Sequence, residues 1–340
     1  MDAREIPSSQ FCSGSHPFQS EFWAKAKKLN SWVPHFLEID LDSRKVQLLV
    51  LARSFLRGMF TLAYVPMGPE IGLAKDGAMG DIAKAVAKAL DKSVFAIRFD
   101  FPFDYQDVLG QFSWQEEELE KWYSAWALSQ GLVLLDQSIQ PQGTVMMDLG
   151  APFEYRTRAR RILKKNSGAV TVDFWDGSEG DFDQWYEIYR ETAHNDGFTA
   201  RSRKYMQTLL ELSGEGGVKC RLILARFGSE IQGGIMVISS KDEETYLFGG
   251  ARRSSDFNVS YCLQDFAIKD AKAAGMRYYD FYGSHGTMGR SEHLSKLTQF
   301  KLAFGGRQIF RIPSCDYVMK KSIWKMYRHL ESKRLERSRD

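Results

Sequence analysis

Two distant segments of the chain share a pattern, and this repetition constrains the fold more than any other feature. Residues 48–53 read LLVLAR and residues 221–226 read RLILAR. Each is followed by a second strand-like segment, a helix with an apolar stripe and a further strand-like segment. These following segments are 60–65, 82–90 and 94–99 in the first half, and 234–238, 263–274 and 277–282 in the second. The shared order of elements predicts two copies of one α/β unit.

The length and composition agree with two globular domains. A chain of 340 residues can form two domains of ordinary size, and 44% hydrophobic with 26% charged residues is usual for a soluble protein. A strand predicted at 143–149 and a basic helix predicted at 153–166 open the second half. We therefore expect a first domain at 1–139, a second at 140–315 and a basic C-terminal helix at 316–340.

The order of a strand hairpin, a helix and a strand is the one that acyltransferases of the GNAT type use. It predicts an α/β (α+β) protein with two tandem GNAT-like domains. Members that use coenzyme A hold its pyrophosphate with a glycine-rich turn at a helix N-terminus, where free amides point at the anion. The corresponding turn here, 252–258, has no glycine and carries Asp256, and in 68–72 Pro69 removes a donor amide. This disfavours acyl-CoA as the donor, and we expect no cofactor.

Aromatic residues surround a carboxylate and a lysine in the second half. Residues 278–283 read YYDFYG, and their alternation predicts a strand that Gly283 releases into a polar loop. Lys301 follows, between Phe300 and Phe304. Such a lysine is either a surface residue whose stem lies along apolar neighbours or a cation held at a site by aromatic walls.

Basic residues are concentrated in two tracts, although the net charge is only +3. Six cations and no acid fall within 156–165, and a second basic tract covers 320–339. Either tract could contact phosphates such as those of an RNA, and either could instead be a solvated helix face. The charges of the first tract could alternatively meet anionic lipid.

Cysteine and histidine spacing gives no sign of a metal site. His285 and His293 have no third ligand nearby, and the four cysteines are scattered without paired spacing: Cys12, Cys220, Cys262 and Cys315. We expect neither a metal nor a disulfide framework, as in a reducing compartment. The first residues carry no apolar run, and no window is long enough to span a membrane, so we expect a cytoplasmic protein.

Six short motifs occur in order along nearly the whole chain: 23–27 (WAKAK), 64–69 (YVPMGP), 97–100 (IRFD), 140–149 (QPQGTVMMDL), 279–283 (YDFYG) and 300–306 (FKLAFGG). With these motifs the chain resembles the Fem (FemABX-like) family. Its members are the non-ribosomal peptidyltransferases that build peptidoglycan interpeptide bridges from aminoacyl-tRNA. No sustained heptads are present, so the chain resembles the members without a coiled-coil arm.

This resemblance implies an enzyme of cell wall biogenesis that adds an amino acid to the side-chain amine of the third residue of a muramyl-peptide precursor. The precursor is linked either to UDP or to lipid. Lys27 and Arg201 resemble the two cations that hold its diphosphate, with Tyr205 expected one helical turn beyond Arg201. Tyr246 and Tyr282 resemble residues that line the peptide site.

The same resemblance assigns residues to the chemical step. Lys301 resembles the lysine at the reacting ester, with Phe300 beside it, and Asp100 resembles the carboxylate near the attacking amine. The basic helix is expected to bind tRNA through Arg158, Arg161 and Lys165.

Two other functions stay open from the sequence. One is transfer of an acyl group from acyl-CoA to a small amine, and the other is RNA binding without catalysis through the basic tracts. For the Fem-like reaction we expect a monomer that meets aminoacyl-tRNA and the precursor, with peripheral contact with the inner membrane face as an alternative where the precursor is lipid-linked.

Overall fold

A computed structural model of the chain describes residues 2–41, 44–69, 78–106, 116–253, 257–286 and 292–337. The strands in chain order are β1 (Asp2–Glu5), β2 (Val33–Leu41), β3 (Arg44–Phe55), β4 (Phe60–Val65), β5 (Val94–Phe99), β6 (Val133–Leu134), β7 (Gly143–Asp148), β8 (Val170–Phe174), β9 (Lys219–Phe227), β10 (Glu230–Ser240), β11 (Glu243–Ala251), β12 (Tyr278–Asp280), β13 (Arg307–Phe310) and β14 (Cys315–Val318). The α-helices are α1 (Glu21–Lys28), α2 (Met79–Ala89), α3 (Glu116–Ser129), α4 (Thr157–Asn166), α5 (Glu179–Asp196), α6 (Arg203–Glu211), α7 (Val259–Ala273), α8 (Glu292–Leu302) and α9 (Lys321–Arg337). Short 3-10 helices span Ser8–Gln10 and Glu215–Gly217.

The chain forms two units. Residues Met1–Gln140 and Arg311–Asp340 make the first unit, and Pro141–Phe310 make the second. The sequence placed the C-terminal helix in a segment of its own, but the structure joins it to the first unit. The reason is that β14, just before the helix, pairs with β5, with Cys315 opposite Phe99.

Each unit contains a seven-stranded sheet, and the two sheets match position by position. The first has the order β1-β2-β3-β4-β5-β14-β6, and the second, written in the same sense, β8-β9-β10-β11-β12-β7-β13. Every neighbouring pair is antiparallel except β4 with β5 and β11 with β12, which are parallel. A helix connects each parallel pair, α2 in the first unit and α7 in the second. The predicted duplication of one α/β unit is therefore confirmed.

The match proposed from the sequence is wrong for the first two strands, although the duplication is real and the last strands, β5 and β12, do occupy equivalent positions. Residues 48–53 lie in β3 and residues 221–226 lie in β9, whereas the strand equivalent to β3 is β10. Both segments are apolar runs in antiparallel strands with a neighbour on each side, and a hydrophobic pattern cannot distinguish one such strand from the next.

The sixth position of each sheet is filled by a strand from elsewhere in the chain. After β6, the seventh strand of the first sheet, the chain enters the sixth position of the second sheet as β7. After β13, the seventh strand of the second sheet, it returns to the sixth position of the first sheet as β14. A linear division of the sequence cannot represent this exchange.

The core of the second unit lies between its sheet and α7. Val145 and Met147, two residues apart on β7 and therefore on the same face of the sheet, are buried in this core. Along α7 the buried residues recur at helical spacing: Val259, Leu263, Ala267, Ile268 and Ala271. Tyr279, Phe281 and Phe304 complete this core and bring the end of β12 against α8.

Candidate functional site

Lys301 lies near the end of α8, and its side chain is buried, with only 4% exposed. Burial lowers the pKa of its amine to about 7, and the nearby carboxylate of Asp280 partly offsets this effect. Of the two interpretations that the sequence left open, the structure therefore supports a lysine held inside the protein. A buried amine with a pKa near neutrality is typical of functional sites.

The partners of Lys301 are two backbone carbonyls. Its Nζ donates hydrogen bonds to the carbonyl oxygens of Tyr282 and Gly283, which directly follow β12. Both residues have left-handed backbone conformations, with φ of +46° at Tyr282 and +68° at Gly283. Glycine adopts this conformation readily, whereas tyrosine does so at a cost, and residues of that kind persist where the surroundings hold them.

Asp280 and Thr144 hold this turn in place. The Asp280 Oδ1 atom accepts a hydrogen bond of 2.7 Å from the backbone N–H of Tyr282 and another from the Thr144 hydroxyl. Both Asp280 and Thr144 are fully buried, on the neighbouring strands β12 and β7. The carboxylate thus fixes the turn whose carbonyls bind Lys301, and it also favours the charged form of that lysine.

Tyr246, on β11, lies near the Lys301 amine. The Nζ atom is 5.8 Å from the centre of the Tyr246 ring, within range of a cation–π contact. Burial raises the pKa of the Tyr246 hydroxyl to about 12. A Cβ atom at Gly249 would lie 2.5 Å from this hydroxyl, so the tyrosine needs a glycine at that position.

Arg201 and Tyr205 lie beside a group of tyrosines in the same unit. The backbone of Arg201 is held on both sides, because its N–H donates to the Tyr189 hydroxyl (3.1 Å) and its carbonyl accepts from the Tyr186 hydroxyl (3.0 Å). Burial raises the pKa of Tyr205 to about 12, and the nearby Arg201 cation opposes the rise. Tyr189 lies near both Tyr205 and Tyr246 and contributes to the raised pKa of each. Because the Tyr189 hydroxyl also accepts a hydrogen bond from the N–H of Arg201, it connects Arg201 to the surroundings of Lys301.

One detail of the sequence-based site differs from expectation. Helix α6 begins at Arg203 with Ser202 as its N-cap, so Arg201 precedes the helix and does not share a helical face with Tyr205. The Phe300 ring packs edge-on against Tyr261 at 4.9 Å and Phe304 at 5.5 Å. Phe300 therefore anchors α8 to the aromatic core.

The basic helix α4 begins at Thr157, later than the 153 predicted from the sequence, and ends at Asn166. Arg158, Arg161 and Lys165 are exposed along it. The helix is connected to the Lys301 region, because the N–H of Arg156 donates to the Ala303 carbonyl at 2.8 Å. One end of the cationic face thus lies next to the helix that carries Lys301.

Lys27 and Asp100 lie in the first unit. Lys27 is in the last turn of α1, with its Nζ 4.2 Å from the centre of the Trp23 ring. Asp100 is buried and accepts hydrogen bonds from the Tyr64 hydroxyl (2.5 Å), the Gln140 N–H (3.2 Å) and the Ser314 hydroxyl. Burial raises the pKa of Asp100, and these hydrogen bonds oppose the rise.

Sequence reasoning did not assign a role to Asp280 or Thr144, although both stood within the quoted motifs. It also missed the polar cluster that follows the turn, in which the His285 ring contacts the Thr298 hydroxyl at 3.1 Å and Gln308 donates to the His285 carbonyl at 3.0 Å. The sequence did contain a signal for Asp280, because a carboxylate in a strand of aromatic residues is buried only when it has hydrogen-bond or charge partners.

Some predicted features lie outside the described residues. These are residues 254–256 of the turn that would hold coenzyme A, residues 70–72 of its counterpart in the first half, and the end of the C-terminal basic tract beyond 337. Within the described ranges, no helix combines the length and the apolar character that crossing a membrane requires. All four cysteines are free thiols.

Comparisons with known proteins agree with this architecture. A profile of the acetyltransferase (GNAT) domain matches residues 154–293. The UDP-N-acetylmuramoylpentapeptide-lysine N(6)-alanyltransferase of Weissella viridescens is 22% identical over 272 residues, which cover 77% of each chain.

Solved structures extend the match to most of the chain. The crystal structure of FemX superimposes with a TM-score of 0.74 at 17% identity, covering 96% of this chain and 99% of that one. L-PGS from Bacillus licheniformis gives a TM-score of 0.52 at 11% identity, with 92% and 94% covered. A tandem GNAT protein from the clavulanic acid pathway gives 0.50 at 8% identity, with 93% and 97% covered. Together with the duplicated sheets, these matches show an acyltransferase with two GNAT-type domains and a fold like that of FemX.

Proposed function

We propose that this protein transfers an aminoacyl group from aminoacyl-tRNA to the side-chain amine of the third residue of a muramyl-peptide precursor. The similarity to an alanyltransferase that is named for a UDP-linked muramyl pentapeptide supports this class of acceptor. The reaction belongs to the synthesis of peptidoglycan interpeptide bridges.

The observation that carries the proposal is the buried amine of Lys301, which donates hydrogen bonds to two backbone carbonyls and lies within cation–π range of the Tyr246 ring. In the reaction, the acceptor nitrogen attacks the ester carbonyl, the C–N bond forms and the bond to the ribose oxygen breaks. The nitrogen loses a proton and the ribose oxygen gains one. The ester is already activated, so the protein must mainly position the reactants and stabilise the oxyanion.

Lys301 is suited to the second task in its charged form. An ammonium group has three N–H donors, and two of them bind the carbonyls of Tyr282 and Gly283. The third is then available to an oxyanion. A neutral amine would keep both carbonyl contacts but present a lone pair in the same direction, as a base does. Because the pKa is about 7, the two roles predict opposite responses to pH above neutrality.

Under the oxyanion role, activity should fall above neutral pH as Lys301 loses its proton. Under the base role, it should rise over the same range. We assign the oxyanion role, because the Asp280 carboxylate favours the ammonium and the negative charge of an oxyanion would favour it further.

The remaining residues have binding roles in this proposal. Lys27 and Arg201 would bind the precursor's diphosphate, with Tyr205 and Tyr246 lining its peptide. The exposed cations of α4 would follow the phosphate backbone of tRNA. The hydrogen bond from Arg156 to Ala303 supports this assignment, because it puts one end of that helix beside α8.

The test is to incubate the protein with a mixture of charged tRNAs and with either the UDP-linked or the lipid-linked precursor, and to weigh the products. A mass increase of one aminoacyl residue on either precursor is expected. Acetyl-CoA with the same precursors and with small amines is the matched control. Acetylation in place of aminoacyl transfer would replace the proposal with an ordinary GNAT reaction, and RNA binding with no product would replace it with a non-catalytic role.

A second measurement tests the tRNA contact. Replacing Arg158, Arg161 and Lys165 with glutamine should raise the Michaelis constant for charged tRNA and reduce its salt dependence, while the constant for the precursor stays unchanged. Equal effects on both substrates would contradict the assignment of α4 to tRNA.

A further inference from the structure

The turn between β3 and β4 has an unusual composition for its geometry. Leu56 and Arg57 both adopt left-handed backbone conformations, with φ of +49° and +57°. Tight hairpin turns of this kind normally use asparagine and glycine, because other residues adopt the conformation at a cost. The side chains of this turn also protrude, and Leu56 is 64% exposed and Met59 66% exposed. The turn therefore combines an unfavourable backbone conformation with two large apolar side chains, Leu56 and Met59, that are exposed to solvent.

The C-terminal helix α9 contributes two more exposed apolar residues. Met326 is 48% exposed and Leu330 is 59% exposed, one helical turn apart. The adjacent face of the helix is packed on the first sheet through Tyr327, whose ring lies 5.4 Å from that of Phe55. Phe55 is the last residue of β3, immediately before the turn.

The direction in which Met326 and Leu330 point follows from the other contacts of the helix. Trp324 donates to Asp316 on β14 at 2.8 Å, and Arg328 pairs with Asp136, just beyond β6. That flank of the helix therefore faces the β14 and β6 edge. At 100° per residue, Met326 and Leu330 lie on the other flank, on the side of β3 and β4 and hence of the turn.

Positive charge accompanies these apolar side chains. Arg57 in the turn is exposed, as are Lys333 and Arg334 toward the end of the helix. The acid of this stretch, Glu331, is turned inward and binds the buried Arg98 at 2.8 Å as well as Arg328. Within residues 321–334, the charged side chains that are exposed, rather than half-buried, are therefore cations.

We propose that Leu56, Arg57, Met59, Met326 and Leu330, here termed the turn–helix surface, rest on a lipid bilayer that contains anionic lipid. Apolar side chains that enter the headgroup region, together with cations that meet its negative potential, are the two contributions that hold a protein at a membrane surface. An RNA would engage the cations but leave the leucines and methionines in water. A second copy of the chain would bring like charges together.

The test uses the full chain and sedimented vesicles of phosphatidylcholine, with and without 30% phosphatidylglycerol. Binding to vesicles without the anionic lipid should be weaker by on the order of 100-fold, as expected when Arg57 and the neighbouring Lys333 and Arg334 all meet the negative potential. The double variant Leu56→Gln/Leu330→Gln should bind the anionic vesicles about tenfold less tightly than the wild type, since both changed side chains are exposed and their loss removes inserted apolar area. The matched control is Leu128→Gln, at an exposed leucine of the same unit on α3, which should bind like the wild type.

Equal binding of the double variant and the wild type would overturn the proposal, as would equal binding to the two kinds of vesicle. Loss of a dimer in the double variant, measured by light scattering without lipid and with no vesicle binding by the wild type, would assign the surface to a second copy. This inference does not rest on the proposed aminoacyl transfer. Transfer to a soluble UDP-linked precursor, assayed without vesicles, should be the same for the double variant and the wild type, so the two proposals can fail separately.

Discussion

Replacing Lys301 with methionine should change how the stability of the protein depends on pH. The folded-state pKa of Lys301 is about 7, whereas the usual value for a lysine is 10.5. Below pH 7 both the folded and the unfolded chain carry the proton. Between pH 7 and 10.5 only the unfolded chain binds it, so the free energy of unfolding rises with pH.

The magnitude follows from linkage. One proton difference is worth about 1.4 kcal/mol per pH unit, and Lys301 is half-titrated at pH 7, so the wild type should gain about 2 kcal/mol between pH 7 and pH 9 from this residue. The methionine variant lacks that gain. Its unfolding free energy relative to the wild type should therefore fall by about 2 kcal/mol over the interval. The lost hydrogen bonds to Tyr282 and Gly283 add a difference that does not depend on pH.

The assay is urea unfolding, followed by circular dichroism at pH 7, 8 and 9 for both proteins. Other titrating groups are common to the two and cancel in the difference. Lys269→Met is the matched control, because this lysine side chain is 72% exposed on α7. An unfolding free energy of Lys301→Met, taken relative to the wild type, that stays constant or rises between pH 7 and pH 9 would refute the argument that the amine is held at a lowered pKa.

Three further predictions concern the site and its supports. Arg201→Ala and Lys27→Ala should each weaken precursor binding, measured by calorimetry, by about 1.5–3 kcal/mol, which is the range for a charge-assisted contact. With a precursor fragment that lacks the diphosphate, the loss should be smaller. Equal losses for both ligands would mean that the phosphates are not the target. Asp280→Asn removes a charge that raises the pKa of Lys301, so the alkaline limb of the pH–rate profile should move to lower pH, and an upward shift would contradict this. Gly143→Ala would place a Cβ atom 2.0 Å from the His285 carbonyl oxygen, so it should lower both the melting temperature and the transfer rate. The control is Gly180→Ala, whose Cβ atom would have its nearest neighbour at 3.9 Å and which should lower neither.

The sequence was sufficient for the fold class because hydrophobic periodicity reports which elements exist. It could not resolve how they are assembled. The apolar runs of β3 and β9 look alike although they occupy different positions, and the pairing of β14 with β5 joins residues far apart in the chain. Neither the position of a strand in its sheet nor its pairing partner can be recognised from the local sequence, because sheet order depends on long-range contacts that hydrophobic periodicity does not encode.

The site was predictable where residue types are chemically unusual, and less so where geometry decides. Lys301 stood out because an ionic group lay between aromatic residues. Its partners are backbone carbonyls, which have no sequence signature, and the left-handed conformation of Tyr282 would not be expected of a tyrosine. The orientation of Phe300 toward Tyr261 likewise depends on the packing of α8, which neighbours in sequence do not determine.

The most direct test of the account is the rate of a single turnover, measured with aminoacyl-tRNA and saturating precursor for the wild type and for Lys301→Met, alongside the dissociation constant of the precursor. If Lys301 stabilises the oxyanion, the rate should fall by about 10²–10³-fold while the dissociation constant stays unchanged, because that contact strengthens only as the transition state forms. An unchanged rate, or a loss of precursor affinity that accounts for the whole effect, would contradict the central claim.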